Sequence, residues 1–458
     1  MKKIILLVLA LTLIFALASC KKKQEPVVEN PAPEENIPEV EVIKYSEGLE
    51  FTSGDETCMV KGIGSCVDTD IIVPKFSPEG LKVVGIDSSA FAKSDSVVSI
   101  TLHEDITKIG DYAFKNCKSL TKVIFAEDSQ LKEIGKEAFL KCSNLAFITL
   151  PDELMSIGES AFSNCHALTV INVSPGVTSI GSKAFSNCLS LKKISVDESN
   201  SDFREINGVL YSSDGKVLLQ YPTGKTDKYF EIPDDVTTIG SYAFAYCDVI
   251  KGIVISDDVT TISGHAFEGC DALVSVDIPN SVTYMGEYAF YSCTGLLSIE
   301  LPYNMNHIGN LAFNLCYSLT EIKVGYGNTT FKDMDGVLYS YDGKTLIQYP
   351  AGKKDKTFEI PSSVTTIGMY AFRRCESIQT ITLSSGSRLS IIDIGAFFEC
   401  KALTSIELPS TLTKINANAF SSTALKNVYY AGGESQWTKI GVSKSDINNA
   451  TVHYNSTI

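Results

Sequence analysis

Ten cysteines stand three residues after a phenylalanine, at Cys117, Cys142, Cys165, Cys188, Cys247, Cys270, Cys293, Cys316, Cys375 and Cys400, and each of those phenylalanines follows an alanine. Such a row invites three kinds of chemistry: zinc binding, disulfide formation and nucleophilic attack. Zinc needs four ligands converging tetrahedrally at about 2.3 Å for sulfur. Thiols fixed at one position of a repeat stack like strands, about 4.8 Å apart, which places at most two near any point. Sequential disulfides can reach that spacing, but parallel side chains rarely reach the required torsion. The pattern therefore predicts reduced, buried, metal-free thiols acting as small apolar residues with a weak donor. Cys58 and Cys66 differ. They lie outside the series and flank Gly62-Ile63-Gly64, where a hairpin would bring them opposite one another. They are a candidate disulfide, stapling the first edge of an exported protein.

Acid–base chemistry finds little support. Asp277 and Glu300 occupy equivalent exposed strand positions on adjacent units, hence about 5 Å apart. Carboxylates at that separation suit a retaining glycosidase, although a solvated sheet face explains them more simply. His103, His166, His265, His307 and His453 stand singly, and no H-E-x-x-H or G-x-S-x-G occurs. No catalytic, metal or cofactor residue is assigned, and the chain reads as a non-enzyme. The formal charge of −15, without a dense Lys/Arg stripe, argues against nucleic acid as a partner.

What positions the cysteines is a period. Ala-Phe recurs in register at Phe91, Phe114, Phe139, Phe162, Phe185, Phe244, Phe267, Phe290, Phe313, Phe372, Phe397 and Phe420, mostly 23 residues apart, twice 25 and twice 59. A fixed period in the twenties marks a solenoid whose coils bury their faces only against neighbours. Leu145 to Phe162 serves as template. Leu145, Ile148 and Leu150 point inward from a short strand, Pro151 ends it, and Leu154 and Ile157 return to the core. Gly158 permits a tight bend, and Ala161-Phe162 sits on a short helical turn. The expected fold is an α/β repeat solenoid, one short strand and one helical turn per coil.

The frame I-x-L-P-x-x-V-T-x-I-G-x-x-A-F-x-x-C-x-x-L is nearly complete from Ile278 to Leu296, where Met285 replaces Ile. Ser263 and Asn416 replace the Gly, and Ser94 and Thr423 replace the Cys in the first and last units. The pattern resembles the BspA-like leucine-rich repeat of bacterial surface proteins. The resemblance spans roughly residues 49 to 458 and implies adhesion to host matrix proteins or to other bacteria.

The start of the chain sets the compartment. Lys2 and Lys3 precede the apolar stretch Ile4 to Leu17 and the small pair Ala18-Ser19, which is a signal peptide over residues 1–19. Leu17-Ala18-Ser19-Cys20 matches the bacterial lipobox. The resemblance implies cleavage before Cys20 and its acylation, hence a stable membrane anchor. Residues 20–43 form a spacer in which Pro26, Pro31, Pro33 and Pro38 alternate with glutamates, an extended composition.

Residues 44–80 read as an N-terminal β cap, residues 81–427 as the repeats and residues 428–458 as a C-terminal cap, with Trp437 and Ile440 covering the core. Insertions near 203–230 and 331–358 match at an offset of 128 residues, with Asp214-Gly215 and Asp342-Gly343 as hairpin signals. Each is expected to project a Tyr-bearing ribbon, with packing of its tyrosines on the adjacent coil as the alternative. The functional expectation is a lipid-anchored bacterial protein of the outer membrane or cell surface. It would bind a protein ligand, either a host matrix protein or another bacterial surface protein. A cell-envelope scaffold binding a partner in the same cell, on the periplasmic face, is the alternative, and a glycan hydrolase ranks last.

Overall fold

The computed structural model describes residues 43–458, which form one compact unit from Lys44 to Ile458. Each regular coil contributes two short parallel rungs. One comes from the I-x-L segment, as in Ser298–Leu301 pairing with Glu321–Val324. The other comes from the T-x-I segment, as in Thr238–Ile239 pairing with Thr261–Ile262. Between the two ladders lies a column of phenylalanines, with Phe91, Phe114, Phe139 and Phe162 stacked at 5.1–5.2 Å between successive rings. The template coil departs from its frame: Leu145, Ile148 and Leu150 are buried as expected, yet the segment forms no strand.

The solenoid stands, but its helical turn does not. Among the described residues the only α-helix is Glu434–Ile440, with a single 3₁₀ turn at Ser445–Ile447. The Ala-Phe segments are chains of tight turns. In every unit the residues two before and two after the Phe have positive φ, as at Tyr112 and Asn116 around Phe114. A left-handed residue cannot propagate a right-handed helix. Its backbone N–H groups alternate instead. Ala113 donates back to Gly110 O at 3.3 Å, whereas Phe114 donates forward to Ala138 O in the next coil at 2.7 Å. Tyr112 and Asn116 likewise donate to Lys136 O and Leu140 O, both at 2.8 Å. A helix would turn those three donors inward on itself. The turn spends them on binding the neighbouring coil.

The repeat glycine has a different task from the bend expected of it. A Cβ on Gly158 would lie 2.5 Å from the backbone of Gly135 and Lys136, and one on Gly181 would lie 2.4 Å from Glu159 N. Gly is needed because successive coils touch backbone to backbone there.

The insertions do not project. Phe203–Ile206, Val209–Ser212 and Val217–Gln220 form an antiparallel ribbon, and its last strand joins the T-x-I ladder at Thr238–Ile239. Its first turn is Asn207-Gly208, both at positive φ, the two-residue hairpin geometry. Val209, Leu210 and Tyr211 are all buried. Leu210 packs into the core on the N-terminal side, whereas Val209 and Tyr211 pack into the next, as strand alternation dictates. The ribbon is thus a wall across the interior. Residues 331–348 build the same wall, with Leu338 facing one way and Val337 and Tyr339 the other. Tyr221 and Tyr349 are buried and donate to Asp227 and Asp355 at 2.9 and 2.7 Å.

At the C-terminal end Trp437 of the helix is buried with its ring against Tyr430 at 5.2 Å, and Ile440 packs beside it. A strand that the sequence reading lacked, Thr451–Tyr454, pairs parallel with Asn427–Tyr430. Asn448 Nδ2 donates to Phe420 O at 2.9 Å, in the place a repeat cysteine would occupy.

Candidate protein-binding face

The cysteine series is buried and unbonded. Cys117 Sγ donates to Phe91 O at 2.9 Å, Cys142 to Phe114 O at 3.0 Å, and Cys293 to Phe267 O at 3.0 Å. Burial pushes the Cys117 and Cys188 thiols up to about 12, and those of Cys165 and Cys293 also rise well above the ordinary thiol value. A thiolate is the nucleophile and metal ligand, so these residues are held in their inert form.

Cys58 and Cys66 are also unbonded, and the expected staple is not formed. Cys58 lies in Thr57–Gly62, which pairs with Glu50–Phe51 on one side and Lys82–Ile86 on the other. No strand returns past Gly64. Cys66 sits instead in a turn where its N–H donates to Ile63 O at 3.0 Å. Cys20 lies outside the described residues. Asp277 and Glu300 are exposed and line a shallow groove of about 600 Å³ with Asp234 and Asp257. Glu300 faces Lys323 across its rung.

The surface that stands out runs along the turns, at the left-handed position two residues before each Phe. In the first coils this edge carries ion pairs between neighbours, Lys115 with Glu137 at 2.6 Å and Lys136 with Glu159 at 2.8 Å. In the middle coils it turns aromatic. Tyr242, His265 and Tyr288 are half-buried and stack face to face, with centroids 4.4 and 4.7 Å apart. Lys183 Nζ lies 3.8 Å from the Tyr242 ring, a cation–π contact, and Tyr291 meets Tyr288 edge-on at 5.3 Å. Glu268 ties the ridge together, accepting from the Tyr246 hydroxyl at 3.0 Å while its other oxygen lies 2.7 Å from His265 Nδ1. Burial and the Glu268 charge push the Tyr246 hydroxyl well above its usual range, so it stays a donor.

Rings locked by stacking lose little entropy on binding, and Tyr and Arg dominate interface energetics. The sequence reading missed this ridge. Its signal was present: Lys183, Tyr242, His265, Tyr288 and Tyr370 share one position of the repeat.

The family described as BspA type leucine rich repeat region matches residues 84–207, 224–334 and 351–455. Among solved structures, a leucine-rich repeat protein from Eubacterium ventriosum is 24% identical, with 78% of this chain and 83% of that one covered and a TM-score of 0.55. The pneumococcal vaccine antigen PcpA is 19% identical over 91% of this chain and 98% of its own, with a TM-score of 0.51. A leucine rich cell surface protein from Faecalibacterium prausnitzii is 24% identical over 87% and 97%, with a TM-score of 0.39. No curated protein matches the chain.

Proposed function

The chain belongs to the BspA-type leucine-rich-repeat family, and we propose that it is a lipid-anchored protein of the bacterial surface that binds a protein partner without catalysis. The observation carrying this reading is the stacked ridge Tyr242–His265–Tyr288 with Lys183 at one end. It presents planar, preorganised rings beside a cation, the composition of an interface hot spot. The partner is a host matrix protein or another bacterial surface protein. The anchor is acylated Cys20, and the Pro/Glu-rich segment after it acts as a tether. Relatives described as a cell surface protein and a vaccine antigen are in keeping with an exposed location.

The test is a binding screen of the mature protein against matrix proteins, glycans and the organism's own envelope extract, followed by Tyr242→Ala and Tyr288→Ala. Each should weaken capture of a protein partner by about tenfold or more, near 1.4 kcal/mol. Protease treatment of intact cells should release the repeat domain. Protection from the protease, with binding only to envelope extract, would replace this reading by an internal scaffold.

A further inference from the structure

The two ribbon walls interrupt the T-x-I ladder. Ser179–Ile180 is the last strand of its sheet and His307–Ile308 the last of another, so each has an unpaired far edge. The turns that follow share this edge. In the coil before, Ser160, Phe162 and Asn164 donate to Ser182, Ala184 and Ser186 at 2.9, 2.8 and 3.0 Å. The N–H groups of Lys183, Phe185 and Asn187, next in the series, meet no protein acceptor among the described residues. The same holds for Leu311, Phe313 and Leu315, at the 128-residue offset. Phe185 and Phe313 are buried, and a buried donor without a partner is destabilising.

Each edge borders a cleft. Ile180, Ala184 and Phe185 line one of about 210 Å³ against Phe203, Leu210 and Leu219 of the ribbon. Ile308, Ala312 and Phe313 line the other, about 320 Å³, against Leu338 and Ile347. Both volumes fall at or below the low end for small-molecule pockets, roughly 300–1,000 Å³. They suit single apolar side chains. Donors at every second residue match the carbonyls that the turn of a neighbouring coil presents, as Ser182, Ala184 and Ser186 do to the coil before them.

The geometry points to two equivalent docking sites, each taking a segment of a partner protein that adds a short strand to the free edge and continues in the same tight turns as a regular coil. The regular coils show what such a segment must offer. It needs carbonyls at alternate residues and a small residue followed by an aromatic, since Ala184 O meets the Phe162 N–H while the Phe185 ring stacks on Phe162 at 5.8 Å. Lys183 and Leu311 belong to the clefts and also hold the same repeat position as the aromatic ridge. The inference therefore deepens the protein-binding reading by naming what the partner inserts.

The probe is a synthetic peptide of residues 236–246, which carries Ala243-Phe244 and no cysteine. Titrated into the mature protein, it should bind with two sites per chain and slow amide exchange at Phe185 and Phe313. Ser241→Trp and Met369→Trp, at exposed rim positions of the two clefts, should each remove one site and together both. Equal binding by a scrambled peptide, or unchanged stoichiometry in both rim variants, would overturn the proposal. Tyr288→Ala should leave the peptide sites intact. Capture of a partner lost in that variant with peptide binding kept is the expected separation. Partner capture by a protein that binds no peptide defeats the cleft sites alone.

Discussion

The ring of Tyr221 stacks on Phe244 at 5.2 Å, holding the turn position that phenylalanine fills in a regular coil. Tyr221 N donates to Ala243 O at 2.7 Å, as the Phe of a regular coil does. Tyr349 repeats the arrangement on Phe372. Each tyrosine begins a new column behind a ribbon wall, so the interior is three columns, from Phe91 to Phe185, Tyr221 to Phe313 and Tyr349 to Phe420.

Phe290→Ala removes a ring stacked on Phe267 and Phe313 at 4.8 and 6.0 Å. The expected cost is about 3–5 kcal/mol. Hydrogen exchange should show lost protection from Tyr221 to Phe313, with the column from Phe91 to Phe185 retained. Phe420→Ala should loosen only the last column. Uniform loss from end to end in either variant would contradict nearest-neighbour coupling.

A soluble chain beginning at residue 43 should titrate twelve thiols after denaturation without reductant. In the native state only Cys66, which is half-buried, should react quickly with a thiol reagent. Fewer than twelve after denaturation would reveal disulfides, and stoichiometric zinc in the native protein would refute the inert assignment.

His103 occupies the position held by Pro151, Pro279, Pro302 and Pro409 in other coils. It is buried, with both ring nitrogens lacking a hydrogen bond. Burial lowers its pKa from 6.5, outweighing the opposing pull of Asp105 and Glu104, while Lys75 adds to the lowering. The folded state therefore binds its proton less readily than the unfolded chain. The stability it contributes is present above pH 6.5 and is lost as the pH falls through the lowered value. His103→Pro should keep the neutral Tm and shrink its drop between pH 7 and pH 5. An unchanged drop would remove His103 as a source of acid sensitivity.

Cys20→Ala should abolish fatty-acid incorporation and shift the protein from membrane to soluble fractions. Label that persists in the variant would overturn the lipobox assignment.

The period of 23 residues made the coil, its inward residues and its buried cysteine series readable before any coordinates. Two features were not. A gap of 59 residues read as one coil plus an insertion, because Gln220-Tyr221 stands where Ala-Phe was sought. The left-handed turns escaped because Tyr112, Glu137 and Tyr288 have no local preference for positive φ. They adopt it because their N–H groups face a neighbouring coil, and that coil comes from residues 22 or more positions away. The candidate ridge was hidden for the same reason, being a product of stacking between coils rather than of any single motif.

The ribbon wall makes reach an adjustable property. Because the core ends against the wall and restarts from a tyrosine, deleting residues 208–335 joins Asn207 to Gly336 and regenerates an Asn-Gly-Val-Leu-Tyr hairpin. Both joined residues already have positive φ in their own turns. A shorter solenoid with one wall and both original ends should result, and adding the same stretch should lengthen it. Selection acting on such a chain can tune how far its far end stands from its attachment point without repacking the interior.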